Sequence, residues 1–183
     1  ALFLLCTGLC LPGASASAAP AIRPPNFVLI MADDLGYGDL SCYGGERART
    51  PHLDALAREG LRFTDYHSNG CVCSPTRAAL PTGRYQQRSG VDEVVFADPK
   101  QGYRDNYGLQ PGEITVAHLL RAAGYRTAIF GKWHLGYARK FNPVHHGFDE
   151  FRGYVSGNVD YQSHVDGAGF PEAVAVITLA LAA

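Results

Sequence analysis

Apolar positions along the chain fall into short blocks whose period changes. Asn26 to Ala32 (NFVLIMA) is apolar almost without a break, the pattern of a strand covered on both faces. Thr50-Pro51 predicts a helix start, with Thr as cap and Pro in the first helical position. Leu53, Leu56 and Ala57 form its apolar stripe, Arg58 falls in its last turn and Gly60 predicts a left-handed stop. Leu61 to Tyr66 reads as a short strand. Thr115 predicts a second cap, opening a helix over Val116 to Ala123 with Leu119 and Leu120 inward and Gly124 closing it. Tyr125 to Phe130 (YRTAIF) returns as a strand, whereas Gln86 to Pro111 has no clear period and reads as a long surface excursion. Strands alternating with helices predict an α/β fold, a mainly parallel sheet sandwiched by helices.

The two ends differ from this pattern. Ala1 to Leu11 is apolar and is followed by small residues with A-x-A patterns at Ala14 to Ala18, the signature of a secretory leader over residues 1–19. The apolar run is too short to cross a bilayer, so no stable membrane span is expected and the mature protein is expected to be exported: secreted, periplasmic or lysosomal according to its source. Residues 167–183 end in an uncharged apolar run that fits neither a membrane span nor an amphipathic surface helix. Composition narrows the rest. The 183 residues are 46% hydrophobic and 11% aromatic, which excludes a disordered chain. A net charge of −1 excludes nucleic-acid binding driven by bulk charge. Of five cysteines, Cys6 and Cys10 leave with the leader; Cys42, Cys71 and Cys73 remain, an odd number that flags a thiol with a fate other than a disulfide.

Candidate chemistry collects in three places. Asp33-Asp34-Leu-Gly follows the first predicted strand, and ligands of open α/β sheets bind beyond the carboxyl ends of strands. Two adjacent carboxylates are eased by a counter-charge, and a hard divalent cation held by oxygens supplies one; a helix cap or solvated turn is the alternative. In Cys71-Val-Cys73-Ser-Pro-Thr-Arg77, Pro75 suits a first helical turn and places Cys73 and Ser74 at a helix N-terminus, where the dipole favours an anion and a thiolate. Arg77, one turn in, adds a fixed cation; a metal or redox pair of Cys71 with Cys73, or a buried structural Cys73, is the alternative. Gly131-Lys132-Trp-His134-Leu-Gly follows the Tyr125 to Phe130 strand. Residues two apart in extended chain share a side, so Lys132 offers an anion a charge while His134 beside it gives or takes a proton; a solvated Lys132 and a packed His134 are the alternative.

Together these blocks resemble the type I, arylsulfatase-like sulfatases of the alkaline-phosphatase-like superfamily. Cys73-Ser-Pro-Thr-Arg77 with Thr82-Gly83-Arg84 is similar to the sulfatase signature C-x-P-S/T-R followed by T-G-R, and the Asp33-Asp34 and Lys132–His134 blocks resemble the other N-terminal motifs in the right order, from about Pro25 to Asp166. The resemblance implies that residues 20–166 are the N-terminal part of a catalytic domain. It implies that Cys73 is oxidised by a formylglycine-generating or sulfatase-maturating enzyme to formylglycine, whose hydrate attacks the sulfur of a sulfate-ester substrate and later expels the sulfate. Asp33, Asp34 and the modified Cys73 would ligate calcium, with magnesium as the alternative. Arg77 would position the nucleophile, Lys132 would bind the sulfate, His134 would assist proton transfer and Ser156 would lie near the substrate.

Two departures stand out. Pro81 occupies a position where the family commonly has Leu, so either the helix from Cys73 is expected to end near Leu80 or the position is a lesion or a sequencing error. The family's second Asp with Asn or His, and its further Lys and His, have no counterpart after Asp166, which predicts a fold incomplete at the C-terminus and an under-coordinated cation. The competing readings are a phosphodiester or phosphonate ester hydrolase of the same superfamily and an inactive fragment that only binds.

Overall fold

The computed structural model describes residues 23–96, 106–160 and 162–165; the predicted leader, the apolar tail and the 97–105 stretch lie outside them. Backbone contacts divide the chain into two units at Met31–Ala32. On the N-terminal side, residues 23–31 form no strand, and Phe27, Val28, Leu29 and Ile30 are all more than half exposed. The expected first strand is therefore corrected. An apolar run becomes a buried strand only when neighbouring strands accept its backbone groups.

Among the described residues from Ala32 onward, four α-helices precede two strands: α1 (Pro51–Glu59), α2 (Cys73–Thr82), α3 (Gln86–Ser89), α4 (Val116–Ala122), β1 (Ala128–Lys132) and β2 (Glu150–Tyr154). Thr50 starts α1 as expected, but its hydroxyl donates to the Asp54 carboxylate at 3.1 Å and accepts the Ser41 N–H at 3.1 Å instead of capping an N–H of the helix. Gly60 ends the helix in extended rather than left-handed backbone, its N–H still reaching the Leu56 carbonyl at 2.9 Å. Leu61 to Tyr66 is exposed coil rather than strand. Thr115 caps α4 by accepting from the His118 N–H, and Gly124 follows in the left-handed conformation. Of the two leucines expected inward, Leu119 points out at 63% exposure; Ala117 is the buried residue of that helix.

Helix α2 runs through Pro81 to Thr82, where Gly83 stops it with a left-handed φ of 62°. The expected end near Leu80 is thus corrected. In the same turn the Thr82 hydroxyl donates to the Ala78 carbonyl at 2.6 Å. A short helix, α3, interrupts the expected structureless excursion.

The predicted Tyr125 to Phe130 strand is found two to three residues later as β1, and β2, which the pattern did not indicate, pairs with it in parallel from Ala128↔Glu150 to Lys132↔Tyr154. The connection between them holds two 3₁₀ turns (Arg139–Phe141 and Pro143–His146). At its far end the Thr127 N–H and hydroxyl both reach the Asp149 carboxylate, fixing where the strands begin. Gly131 faces Gly153 across the ladder so closely that a Cβ on Gly153 would strike the Gly131 backbone. Ala78, Val91, Val95, Leu109, Trp133 and Leu135 form the core, which seats the buried face of α2 against the segment leaving β1.

Candidate functional site

Three sequence blocks meet at the carboxyl end of β1. Lys132 is the last residue of that strand, and its Nζ lies 2.7 Å from Asp33 Oδ2. Arg77, one turn into α2, places Nη2 3.0 Å from the same oxygen and donates from Nη1 to the Lys132 carbonyl at 2.6 Å. All three side chains are largely covered, with 20% of Asp33, 14% of Arg77 and 11% of Lys132 exposed. Burial alone would push the Asp33 carboxyl up. Hydrogen bonds from Lys132 and Arg77, and one shared with Asp34, outweigh it and hold Asp33 well below the usual carboxylate range. Asp34, fully exposed, is pushed the other way, chiefly by its hydrogen bond to Asp33 and by that neighbour's charge. The pair behaves as two carboxylates that share a site.

Cys73 is the first residue of α2, its thiol free and partly covered. His134 departs from the expected geometry. Its backbone is left-handed, with φ 59°, so the two-residue alternation from Lys132 breaks and the ring turns into the core. There it is 3% exposed, with Nε2 2.8 Å from the Val95 carbonyl and Nδ1 without a hydrogen-bond partner. Burial, reinforced by the charges of Lys132 and Arg77, lowers its pKa to about 4 despite the Val95 bond, so the ring is neutral near pH 7. Ser156 is buried beyond β2, and its hydroxyl donates to the Asn158 carbonyl at 3.0 Å within its own turn.

The structure therefore joins Asp33, Arg77 and Lys132 directly, keeps Asp34 on Asp33, and seats His134 next door in their field. Among the described residues no three His, Cys, Asp or Glu side chains gather as a ready metal site. Asp33 and Asp34 nevertheless carry the right donor chemistry for a hard cation, because each is an oxygen ligand and their mutual repulsion is what a divalent ion relieves. Two residues of the neighbourhood escaped sequence reasoning. Val95 acts through its backbone, which leaves no side-chain signal; Gly157 lies so close over the His134 ring that a Cβ there would come within 2.7 Å of Nε2.

Solved structures define the class first. The chain superposes on Ps i-CgsB with a TM-score of 0.70 and 36% identity, covering 76% of this chain and 30% of that one. It superposes on the PsFucS1 sulfatase from Pseudoalteromonas sp. with a TM-score of 0.59 and 40% identity, covering 69% and 25%. With its helices and parallel sheet, the protein has part of the alkaline-phosphatase-like α/β fold. The Sulfatase family model matches residues 25–180, and the chain belongs to the sulfatase family, a family of sulfuric ester hydrolases. Mouse (Mus musculus) steryl-sulfatase is 49% identical over 150 residues, covering 79% of this chain and 24% of that protein. Human (Homo sapiens) arylsulfatase A is 49% identical over 142 residues, covering 76% and 27%. Human N-acetylgalactosamine-6-sulfatase is 44% identical over 144 residues, covering 77% and 27%. The chain spans about a quarter of the length of the curated relatives it matches.

Proposed function

We propose that the protein hydrolyses sulfate esters, with Cys73 as the precursor of the nucleophile and an anion site built on Lys132 and Arg77. The observation that carries this reading is the shared Asp33 oxygen, on which two cations from separate motifs converge. Paired cations at the start of α2 suit a bound oxyanion once a cation is held by Asp33 and Asp34. Formylglycine at position 73 would supply a hydrated aldehyde able to attack sulfur and then release it, chemistry a thiol lacks. Asp33, Asp34 and the matured residue 73 would hold calcium, or magnesium, which would draw charge from the sulfate oxygens.

The chain's own residues then divide the remaining work. Lys132 swings between Asp33 and a sulfate oxygen. Arg77 stays on Asp33 and on the Lys132 carbonyl, keeping the ammonium stem aimed at one place. Neutral His134 offers an unprotonated Nδ1 as proton acceptor. Ser156 would lie near the substrate, its hydroxyl held by the Asn158 carbonyl. The maturating enzyme and an export leader over residues 1–19 complete the proposal, and no helix of the described residues is long and apolar enough to cross a membrane.

The test is production with a formylglycine-generating enzyme, mass spectrometry of the Cys73 peptide, and turnover of an aryl sulfate beside an aryl phosphodiester. Conversion of the Cys73 thiol to an aldehyde, with sulfate turnover that Cys73→Ala abolishes, is expected. Turnover of the diester alone would reassign the site to phosphoryl chemistry, and an unmodified Cys73 would remove the nucleophile from the scheme.

A further inference from the structure

Ser74 stands beside the candidate nucleophile, yet its side chain points away from solvent altogether, with 0% of the residue exposed. Its Oγ accepts the backbone N–H of Val95 at 3.2 Å, across 21 residues of sequence. The carbonyl of that same Val95, itself 3% exposed, meets His134 Nε2 at 2.8 Å. One residue thus receives a clamp from the nucleophile's helix on its N–H and holds the histidine with its C=O.

The chemistry of that second bond decides the ring's proton. A carbonyl oxygen only accepts, so a neutral imidazole at this distance must carry its hydrogen on Nε2; an unprotonated Nε2 would set lone pair against lone pair. Nδ1 is then the free lone pair, and it is the buried ring atom that has no partner. Two further features show that the ring's placement is imposed. His134 sits at φ 59°, a conformation that a side-chain-bearing residue keeps only where its surroundings over-determine it. Gly157 lies against Cε1 and Nε2, leaving no room for the ring to slide off Val95 in that direction.

We infer that Ser74 is a positioning residue: by holding the Val95 backbone it fixes the Nε2–H tautomer of His134 and keeps Nδ1 unprotonated. The inference deepens the sulfate-ester reading, on which the use of Nδ1 rests, and it couples the start of α2 to the histidine without contact between the two side chains. Removing the Ser74 hydroxyl leaves the buried Val95 N–H without its acceptor, so the peptide turns and its carbonyl loses its aim. The ring then samples both tautomers, and the fraction with a usable Nδ1 falls.

The experiment is nitrogen-15 NMR of ring-labelled histidine in the full chain, read beside steady-state turnover. In the wild type at neutral pH, His134 is expected to show protonated Nε2 and bare Nδ1. Ser74→Ala is expected to give a tautomer mixture, a fall in kcat on the order of tenfold to a hundredfold with KM held, and a displaced acidic limb of the pH profile. Ser74→Thr, which keeps the hydroxyl, should restore all three. Ser74→Cys, with only a weak sulfur acceptor, should shift the tautomers in the same direction and serves where Ser74→Ala does not fold. A wild-type His134 protonated on Nδ1 overturns the inference, as does a folded Ser74→Ala or Ser74→Cys protein whose tautomer is unchanged. Absence of sulfate turnover in the wild type would count against the functional reading alone, because the tautomer is read without substrate.

Discussion

Replacing His146 with phenylalanine removes two nitrogens that the fold buries without a hydrogen bond. The side chain is 0% exposed, and its ring lies 5.5 Å from that of Trp133, the residue between Lys132 and His134. Burial lowers its pKa to about 4, and the charges of His118 on α4 and the adjacent His145 push the same way. Between pH 6.5 and 4 the unfolded chain therefore takes up a proton that the folded protein refuses. The contribution is fully present above about 6.5, drains as pH falls through that window, and levels off below 4. A shift of this size costs about 2 kcal/mol between pH 7 and pH 4.5, and His134, shifted to the same value, costs about as much again. His146→Phe keeps the ring stack and deletes one of these two losses. At pH 7 the variant should be more stable by about 1 kcal/mol, because no polar atom is left stranded. Urea unfolding followed by circular dichroism at pH 7 and pH 4.5 measures both quantities. The wild type should lose about 2 kcal/mol more than the variant over that interval, roughly 4–8 °C if read as a melting temperature. Equal losses in the two proteins would refute the assignment of acid sensitivity to His146.

Two further substitutions probe the frame. Pro81→Leu supplies the N–H that α2 lacks opposite the Arg77 carbonyl and should raise the melting temperature, by about 2 kcal/mol in stability; an unchanged or lower value would show that the last turn gains nothing from that bond. Gly153→Ala drives a methyl into the Gly131 backbone and should cost about 1–3 kcal/mol, with loss of amide-exchange protection along β1; retained protection would mean the strands can part without cost.

What could be read from the sequence divides along a physical line. Helix starts at Thr50-Pro51 and Thr115, and the left-handed glycine at Gly124, depend on groups within one turn and appeared where expected. Strands depend on partners far along the chain. Asn26 to Ala32 has the apolarity of a central strand and does not form one, while Glu150–Tyr154, with Arg152 in its middle, becomes a strand because Ala128–Lys132 pairs with it. The meeting of Asp33, Arg77 and Lys132 was foreseeable from motif chemistry, since each motif supplies a charge that another needs. The packing of His134 into the core is the alternative its block left open, and the motif chemistry alone did not select it. Alternation along extended chain says nothing once a residue adopts a left-handed backbone, and the carbonyl that receives the ring belongs to a valine. A buried serine in the first turn of a helix was the one available hint, because such a hydroxyl seeks a backbone partner.

The Arg77 guanidinium reaches Asp33 across 44 residues and the Lys132 carbonyl across 55. Contacts of that span form only after most of the intervening chain has been ordered, so the charged triad should be among the last parts of the molecule to assemble and among the first to register a disturbance elsewhere. A substitution in the distant Thr127–Asp149 latch, or at the Gly131–Gly153 crossing, would then be felt as misplacement of Lys132 before any loss of helix. For such a protein, binding of a small anion is a more sensitive gauge of folding quality than the amount of secondary structure.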